Sequence, residues 1–452
     1  MEITEKIELL IAEKKLGELR LLLSEQNPAD IALILGELPN DRIPLVYRIL
    51  PKELAAEAFA NMEPDLQEIL IRSFNDTELR YVINELYMDD FVDMIEEMPA
   101  NVVKRILNQA SPDIRKTVNE FLKYPKDSAG SIMTTEYVDL KKNLTVEDAF
   151  RRIRMVGVDK ETIYTCYVTD RNRCLQGIVT AKQLMLSESN TVLEDIMETN
   201  IISAGTLDDK EYVAQLFDKY GFLALPVVDK ENRLVGIVTI DDAFDIIEEE
   251  ATEDTEIMAA ITPTDKPYLK TGVFETFVKR IPWLLLLMIS ATFTGMIISS
   301  YETALAATVA LTAFIPMLMG TGGNSGSQAS VTVIRSIAIG DVELNDIFKI
   351  LLKEFRVSLL CGAVLAVANF VKIYFIDILL LKTDVTLMIA LVVSLALFVT
   401  VICAKIVGSA LPLLAKAVGF DPAVMASPFI TTIIDAVSLF VYFQIATTLL
   451  NL

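Results

Sequence analysis

Asp435 is the residue of this chain best placed to do chemistry. It is the only charged residue between Ala423 and Leu452, in AVMASPFITTIIDAVSLFVYFQIATTLLNL. About 20 apolar residues cross a bilayer as a helix, and this stretch is long enough. An ionised carboxylate in lipid costs at least about 2.5 kcal/mol, so such groups face a bundle interior or a water path. Three readings fit: an ion-pathway residue, a protonated packing aspartate, or a partner of Lys405. Upstream, PMLMGTGGNSGSQASVTVIRS runs from Pro316 to Ser336. As a dinucleotide fingerprint it needs glycine at Ser325, and as a phosphate loop it needs Gly-Lys-Ser or Gly-Lys-Thr, so both fail. Two readings remain for it. Gly322 and Gly326 allow close helix packing in a membrane. Alternatively, glycines and Pro316 loosen the helix, and freed carbonyls line a water path. Asn324 and Gln328, one turn apart, then add side-chain oxygens, a ligand type that suits Mg²⁺ or Ca²⁺.

Oxygen is also the only plentiful ligand elsewhere. The chain has no histidine, and Cys166, Cys174, Cys361 and Cys403 show neither metal-site nor disulfide spacing. From Asp241 to Asp265 there are ten acids and no base. Asp242, Asp245, Glu249, Glu253 and Glu256 fall on one helix face, where like charges destabilise by about 0.2–0.5 kcal/mol per pair. Divalent cations would offset that repulsion; a solvated acidic linker is the alternative. Two further clusters are Asp89/Asp90/Asp93 and Asp209/Glu211.

These groups must be positioned by more than one domain. Of 452 residues 52% are apolar, yet 62 acids face 40 bases. The strongly apolar part begins near Ile281, and the length suggests about three domains. The start, MEITEKIELLIAEKK, has no secretory pattern, which places the first 280 residues in the cytosol. The acidic balance excludes a nucleic-acid binder of the usual basic kind. No nucleophile–base pair or catalytic motif stands out, so the chain reads as a non-enzyme.

Up to about residue 125, apolar residues recur every twelve positions: Leu38, Leu50, Met62, Phe74, Leu86, Met98 and Ala110. Pro39, Pro51, Pro64, Pro99 and Pro112 lie at or just after them. Proline starts helices and ends what precedes it. The expectation is a stack of very short helices sharing one core. Residues 131–250 repeat differently. SIMTTEYVDL is echoed by DIMETNIISA, and YVTDRNRCLQGIVTAKQL by PVVDKENRLVGIVTIDDAF. Each half reads as helix, strand, turn, strand and helix. This resembles a tandem pair of cystathionine-β-synthase (CBS) domains. In that family a Thr or Ser and an Asp after the second strand hold the ribose of an adenine nucleotide. Thr239 and Asp242 match this. Thr180 matches too, but Gln183 replaces the Asp. The resemblance therefore implies ATP at one site, or a module that only dimerises.

The apolar part reads as five spans: Ile281–Ser300, then about 303–339, 347–376 and 385–414, and a last one containing Asp435. Arg335, Lys349, Lys353, Arg356 and Lys416 outnumber Lys372 and Lys382 across the loops, which places the N-terminus inside and the C-terminus outside. Glu302, Asp377 and Asp384 then lie outside.

Taken together, the chain resembles the MgtE family of magnesium channels, also called magnesium transporters. The strings MGTGGNSGSQAS and DPAVMASPFITTIID carry the resemblance. It implies a multidomain membrane protein: an α-helical superhelical N-domain at 1–130, α/β tandem CBS domains at 131–250, an acidic connecting helix at 251–275, and an all-α five-span pore domain at 276–452. It implies a homodimer in a bacterial or archaeal plasma membrane. Asp435 of each subunit would hold Mg²⁺ with its waters, assisted by carbonyls near Gly320, Gly323 and Thr431, with Asn324 in the same motif. Ser327 departs from the family pattern, as does Gly221. Asp89, Asp93, Asp209, Glu211, Asp242, Asp245, Glu250, Glu253 and Asp254 match positions that bind regulatory Mg²⁺. The implied function is Mg²⁺ flow down its gradient into the cytosol, shut by cytosolic Mg²⁺. The rival is a CBS-regulated secondary transporter of another cation or solute.

Overall fold

A computed structural model describes residues 3–264, 268–269 and 271–451. The chain forms two compact units, Met1–Ile247 and Glu248–Leu452.

The first unit opens with ten short helices, from Ile3–Ala12 to Pro112–Phe121. Their starts are written in the sequence. Asn27 caps a helix that begins at Pro28, Ser111 caps one that begins at Pro112, and Asn75 and Glu78 form a reciprocal capping box. Five of the seven twelve-residue marks turn out to be helix ends, and Leu50 and Met62 fall just past one. Leu38, Phe74, Leu86, Met98 and Ala110 are C-cap residues with extended backbone. At each, the chain leaves the helix and turns its apolar side chain inward. Six of the seven marks are buried, and Leu86 packs against the same core. That core continues into Val213, Phe217, Leu225 and Val238, so the helical stack and the α/β part share one interior.

The α/β part holds two three-stranded sheets. The first contains β1 (Asp139–Leu140), β2 (Thr165–Thr169) and β3 (Leu175–Thr180); the second contains β4 (Ala204–Gly205), β5 (Ala224–Val228) and β6 (Leu234–Thr239). In both, a short parallel pair precedes an antiparallel hairpin, with Val168 opposite Gly177 and Val227 opposite Gly236. The two halves also interlock. Thr134 N–H donates to the Ile237 carbonyl 2.8 Å away, and a Cβ on Gly236 would press on Met133. Reciprocally, a Cβ on Gly177 would press on Met197. The Met of each SIM/DIM echo thus packs on the glycine of the other half, which explains why both motifs recur.

β6 runs directly into a helix, Ile240–Met258. The acidic stretch is therefore a continuation of the CBS fold, with Asp242 in its first turn, rather than a helix starting near 251. Asp265, the last acid of that run, lies outside the described residues.

The second unit contains five helices of 24 residues or more: Val273–Ser300, Ile315–Ala338, Ile347–Lys372, Leu387–Val418 and Ser427–Leu450, hereafter the first to fifth spans. Among the described residues, four stretches are long and apolar enough to cross a membrane: Val273–Ser300, Leu344–Leu380, Leu387–Val418 and Pro422–Leu450. The second span falls short because its glycines and polar side chains lower its hydropathy. It also starts later than the sequence suggests. Glu302–Ala307 is a separate helix, Val309–Phe314 is 3₁₀, and Pro316 sits in the first turn of the span proper. The third span continues as π-helix through Ile373–Leu380. The second, fourth and fifth spans meet closely. A Cβ on Gly326 would strike Ile434, and one on Gly408 would strike the Gly326 backbone. Small residues here permit backbone-to-backbone approach, the usual means of helix association in lipid.

Candidate functional site

The fifth span presents Asp435 to the second span at Gly323. A Cβ on Gly323 would lie 3.1 Å from Thr431 Cγ2 and 3.9 Å from Asp435 Oδ1. The missing side chain brings a carboxylate and a hydroxyl-bearing residue against the glycine backbone. Thr431 Oγ1 donates to the Pro428 carbonyl at 2.9 Å, which leaves its oxygen lone pairs available. Lys405 is not the partner of Asp435: its ammonium pairs with Glu354 of the third span at 3.8 Å. That pairing removes one of the three readings of Asp435. Gly320 has open space around it. Asn324 and Gln328 do not join Asp435. They line a cavity of about 520 Å³ with Thr321, Ser325, Lys405 and residues of the third span.

A second group of carboxylates gathers in the first unit. The helix Met88–Glu97 buries Asp89. Burial, then repulsion from Asp242, Asp90 and Glu161, pushes its carboxyl well above the usual range. Burial and Asp241 raise Asp90 to about 6. Burial raises Asp242 to about 6 against the pull of Thr239, whose hydroxyl donates to its Oδ2 at 2.6 Å. Glu161 goes up to about 8, through burial and then Asp242, Asp90 and Asp241. Its Oε2 is buried and has no hydrogen-bond partner among the described residues. Asp93 is pushed upward as well, but its side chain reaches solvent, where screening discounts the effect. Among the described residues no three carboxylates converge on one point. They form a zone of mutual repulsion with an orphaned buried oxygen, which matches a hydrated divalent cation held by one or two carboxylates and waters.

Glu161 was not legible as a site residue. It sits in a loop before β2, held by its N–H to the Glu136 carbonyl at 2.9 Å. No periodicity marks it, because only the tertiary fold carries it to Asp242. Asp209 and Glu211 have local roles: Asp209 caps the helix Lys210–Tyr220 by accepting from Glu211 N–H at 2.9 Å. Thr180 and Gln183 form a capping box as Thr239 and Asp242 pair in the second copy, so Gln183 fills the capping place of the aspartate. Asp245 is exposed on the acidic helix.

The far end of the acidic helix belongs to the second unit. Ile257 and Met258 pack on Ile334 of the second span and on Ala423 and Ala426 ahead of the fifth. Ser330 ties the same parts together by donating to the Met425 carbonyl at 3.1 Å. Burial, then Asp421 and Glu253, raises the Asp254 carboxyl, while Arg335 opposes. Glu250, Glu253 and Asp254 thus ride on a helix whose end touches the second span and the segment that leads into the fifth.

The raised carboxyls set a pH dependence with a definite sign. A carboxyl whose folded pKa lies above its unfolded value stabilises the fold below about pH 4, and that stability is lost as pH rises through the folded pKa. Between pH 5.5 and pH 8.5, in chelator, the amides of Met88–Glu97 should lose hydrogen-exchange protection. Millimolar Mg²⁺ should restore it at pH 8.5. Equal protection at both pH values, after correction for intrinsic exchange, would reject the electrostatic account.

A CBS pair followed in the chain by a bundle of long apolar helices defines a multi-pass membrane protein of several domains. The family model described as "Divalent cation transporter" matches residues 315–445. "MgtE intracellular N domain" matches 26–127, and "CBS domain" matches 129–189 and 193–249. The magnesium transporter MgtE of Thermus thermophilus is 35% identical over 90% of this chain and 89% of its own length. That of Bacillus subtilis is 34% identical over 87% and 86%. A crystal structure of the cytosolic domain of the Mg²⁺ channel MgtE in complex with ATP aligns at TM-score 0.52 and 33% identity, covering 54% of this chain and all of that one. The chain belongs to the MgtE family.

Proposed function

We propose that this chain passes Mg²⁺ across the membrane down its electrochemical gradient into the cytosol, as a homodimer with the N-terminus inside and the C-terminus outside. The juxtaposition of Gly323, Thr431 and Asp435 carries the reading. Mg²⁺ sheds its waters reluctantly and is commonly bound by one or two carboxylates plus water. Two subunits supply two Asp435 carboxylates, and the retained waters reach backbone carbonyls near Gly320, Gly323 and Thr431. The decisive measurement is Mg²⁺ flux into liposomes under an imposed membrane potential.

Regulation follows from the acidic groups. Cytosolic Mg²⁺ held by Asp89, Glu161 and Asp242 in the first unit, and by Glu250, Glu253 and Asp254 on the acidic helix, neutralises surfaces that otherwise repel. Asp93, Asp209, Glu211 and Asp245 widen the acidic field. The ion favours the closed form by binding it more tightly than the open form.

The CBS pair takes an adenine nucleotide at Thr239 and Asp242. The relative's ATP-bound cytosolic domain supports this, and Gln183 argues for one site rather than two. Calorimetry of ATP against the folded full chain in detergent should give binding heat, reduced about tenfold in affinity by Asp242→Asn, the worth of a charge-assisted hydrogen bond. No heat at millimolar ATP would reject the site.

A further inference from the structure

Lys405 lies in the fourth span with only 5% of its surface exposed. Among the described residues its ion-pair partner is Glu354, 3.8 Å away, beyond a good hydrogen bond. Among the described residues its ammonium donates no hydrogen bond. A buried ammonium with unused donors is costly and calls for an acceptor. The ammonium lines the cavity of about 520 Å³ described above, together with Thr321, Asn324, Ser325 and Gln328. Apolar side chains line the same cavity: Leu360 and Val364 of the third span, 72% and 69% exposed. The cavity therefore combines a polar lining with an apolar one whose residues are also exposed at the surface.

The third span extends that pattern. Lys353, Arg356, Leu360 and Val364 follow at spacings of three, four and four, which places them on one helix face. All four are exposed. The face begins basic and continues apolar, and Glu354, the partner of Lys405, lies at its basic end. A ligand matching this stripe has an anionic head beside Lys405, Lys353 and Arg356 and a hydrocarbon tail along Leu360 and Val364. Those are the parts of an anionic phospholipid. A second copy of the chain fits less well. Within the five span helices its acids deeper than the first turn are Glu354, already paired, and Asp435, turned to Gly323.

From this we infer that the cavity between the second, third and fourth spans binds an anionic phospholipid from the leaflet facing Lys353 and Arg356. The lipid phosphate accepts from the Lys405 ammonium and from the amides of Asn324 and Gln328. The ligand so placed touches the second span on the side away from Asp435, which makes it a lateral brace for that helix.

Thermal melting of the purified full chain in detergent tests this, with added dioleoyl phosphatidylglycerol, dioleoyl phosphatidylcholine or inorganic phosphate. Phosphatidylglycerol should raise the melting temperature by about 2 °C or more beyond phosphatidylcholine, and inorganic phosphate should do nothing. Glu354→Gln with Lys405→Met, which leaves no orphaned buried charge, should abolish the phosphatidylglycerol increment. Val364→Trp, a surface change that blocks the tail path, should abolish it independently should the double variant not fold. Lys405→Arg should retain it. Equal effects of the two lipids on the native chain would overturn the inference, as would an increment that survives Val364→Trp and the double variant. Inorganic phosphate matching phosphatidylglycerol would make this a free-anion site. A change in dimer mass in the double variant without headgroup dependence would assign the cavity to a second copy.

Discussion

Asp435→Ala removes most Mg²⁺ flux while the purified protein still folds. Charge-assisted contacts are worth about 1.5–3 kcal/mol each, so losing the carboxylate should reduce flux about ten- to hundredfold. Asp435→Asn keeps size and shape and should be nearly as poor, because Mg²⁺ competes with its own hydration shell and a neutral amide offers only a dipole. Flux into liposomes at a fixed potential, with circular dichroism to verify folding, reads both variants. Near-normal flux through either one would remove Asp435 from the ion path. The geometry makes the comparison clean: Lys405 pairs elsewhere, so neutralising Asp435 orphans no lysine.

Neutralising the acids of the first unit and of the acidic helix should have the converse effect, with conduction kept and closure weakened. The variant carries Asp242→Asn, Asp245→Asn, Glu250→Gln, Glu253→Gln and Asp254→Asn, with Glu161→Gln added separately. A swing from 1:99 to 99:1 between open and closed forms needs about 5.5 kcal/mol of differential binding. Several weak sites share that total. Removing five carboxylates should raise the internal Mg²⁺ for half-closure by about tenfold or more, the equivalent of about 1.4 kcal/mol. Deleting residues 1–130 should act in the same direction. Patch recordings with stepped internal Mg²⁺ decide the matter. Closure of the five-fold variant at the native concentration would mean that these acids are a solvated face and that the gate lies elsewhere.

Which parts of this arrangement could be read without coordinates follows from how local each cause is. The twelve-residue marks were visible because each rests on one helix end and one turn, within a few residues of sequence. The CBS echoes were visible because both copies repeat the same strands, though their interlocking through Met133 and Met197 was not. Asn324 and Gln328 show the limit. Their spacing places them on one face of a helix, but nothing in it tells which neighbour that face meets. Here it meets Lys405 and the third span, whereas Gly323, one residue earlier, meets Asp435. Glu161 shows the same limit at longer range. Its place beside Asp90 and Asp242 depends on packing the helical stack against the CBS pair, and a loop carries no period. The break between Ala307 and Ile315 was hidden for another reason: apolar composition continues across it unchanged.

The helical stack of the first unit places an apolar residue at or next to a helix end every twelve positions, from Leu38 to Ala110. Length variation in such an array comes in whole steps. Gain or loss of twelve residues ahead of Met88 preserves the phase of every inward side chain and leaves Asp89 where it stands. An insertion of six residues would turn the apolar marks to solvent. A step between Glu97 and Pro112 would keep the phase yet displace Asp89 along the array relative to Asp242. The stack is thus a ruler, and natural drift in its length is free on one side of Asp89 and constrained on the other.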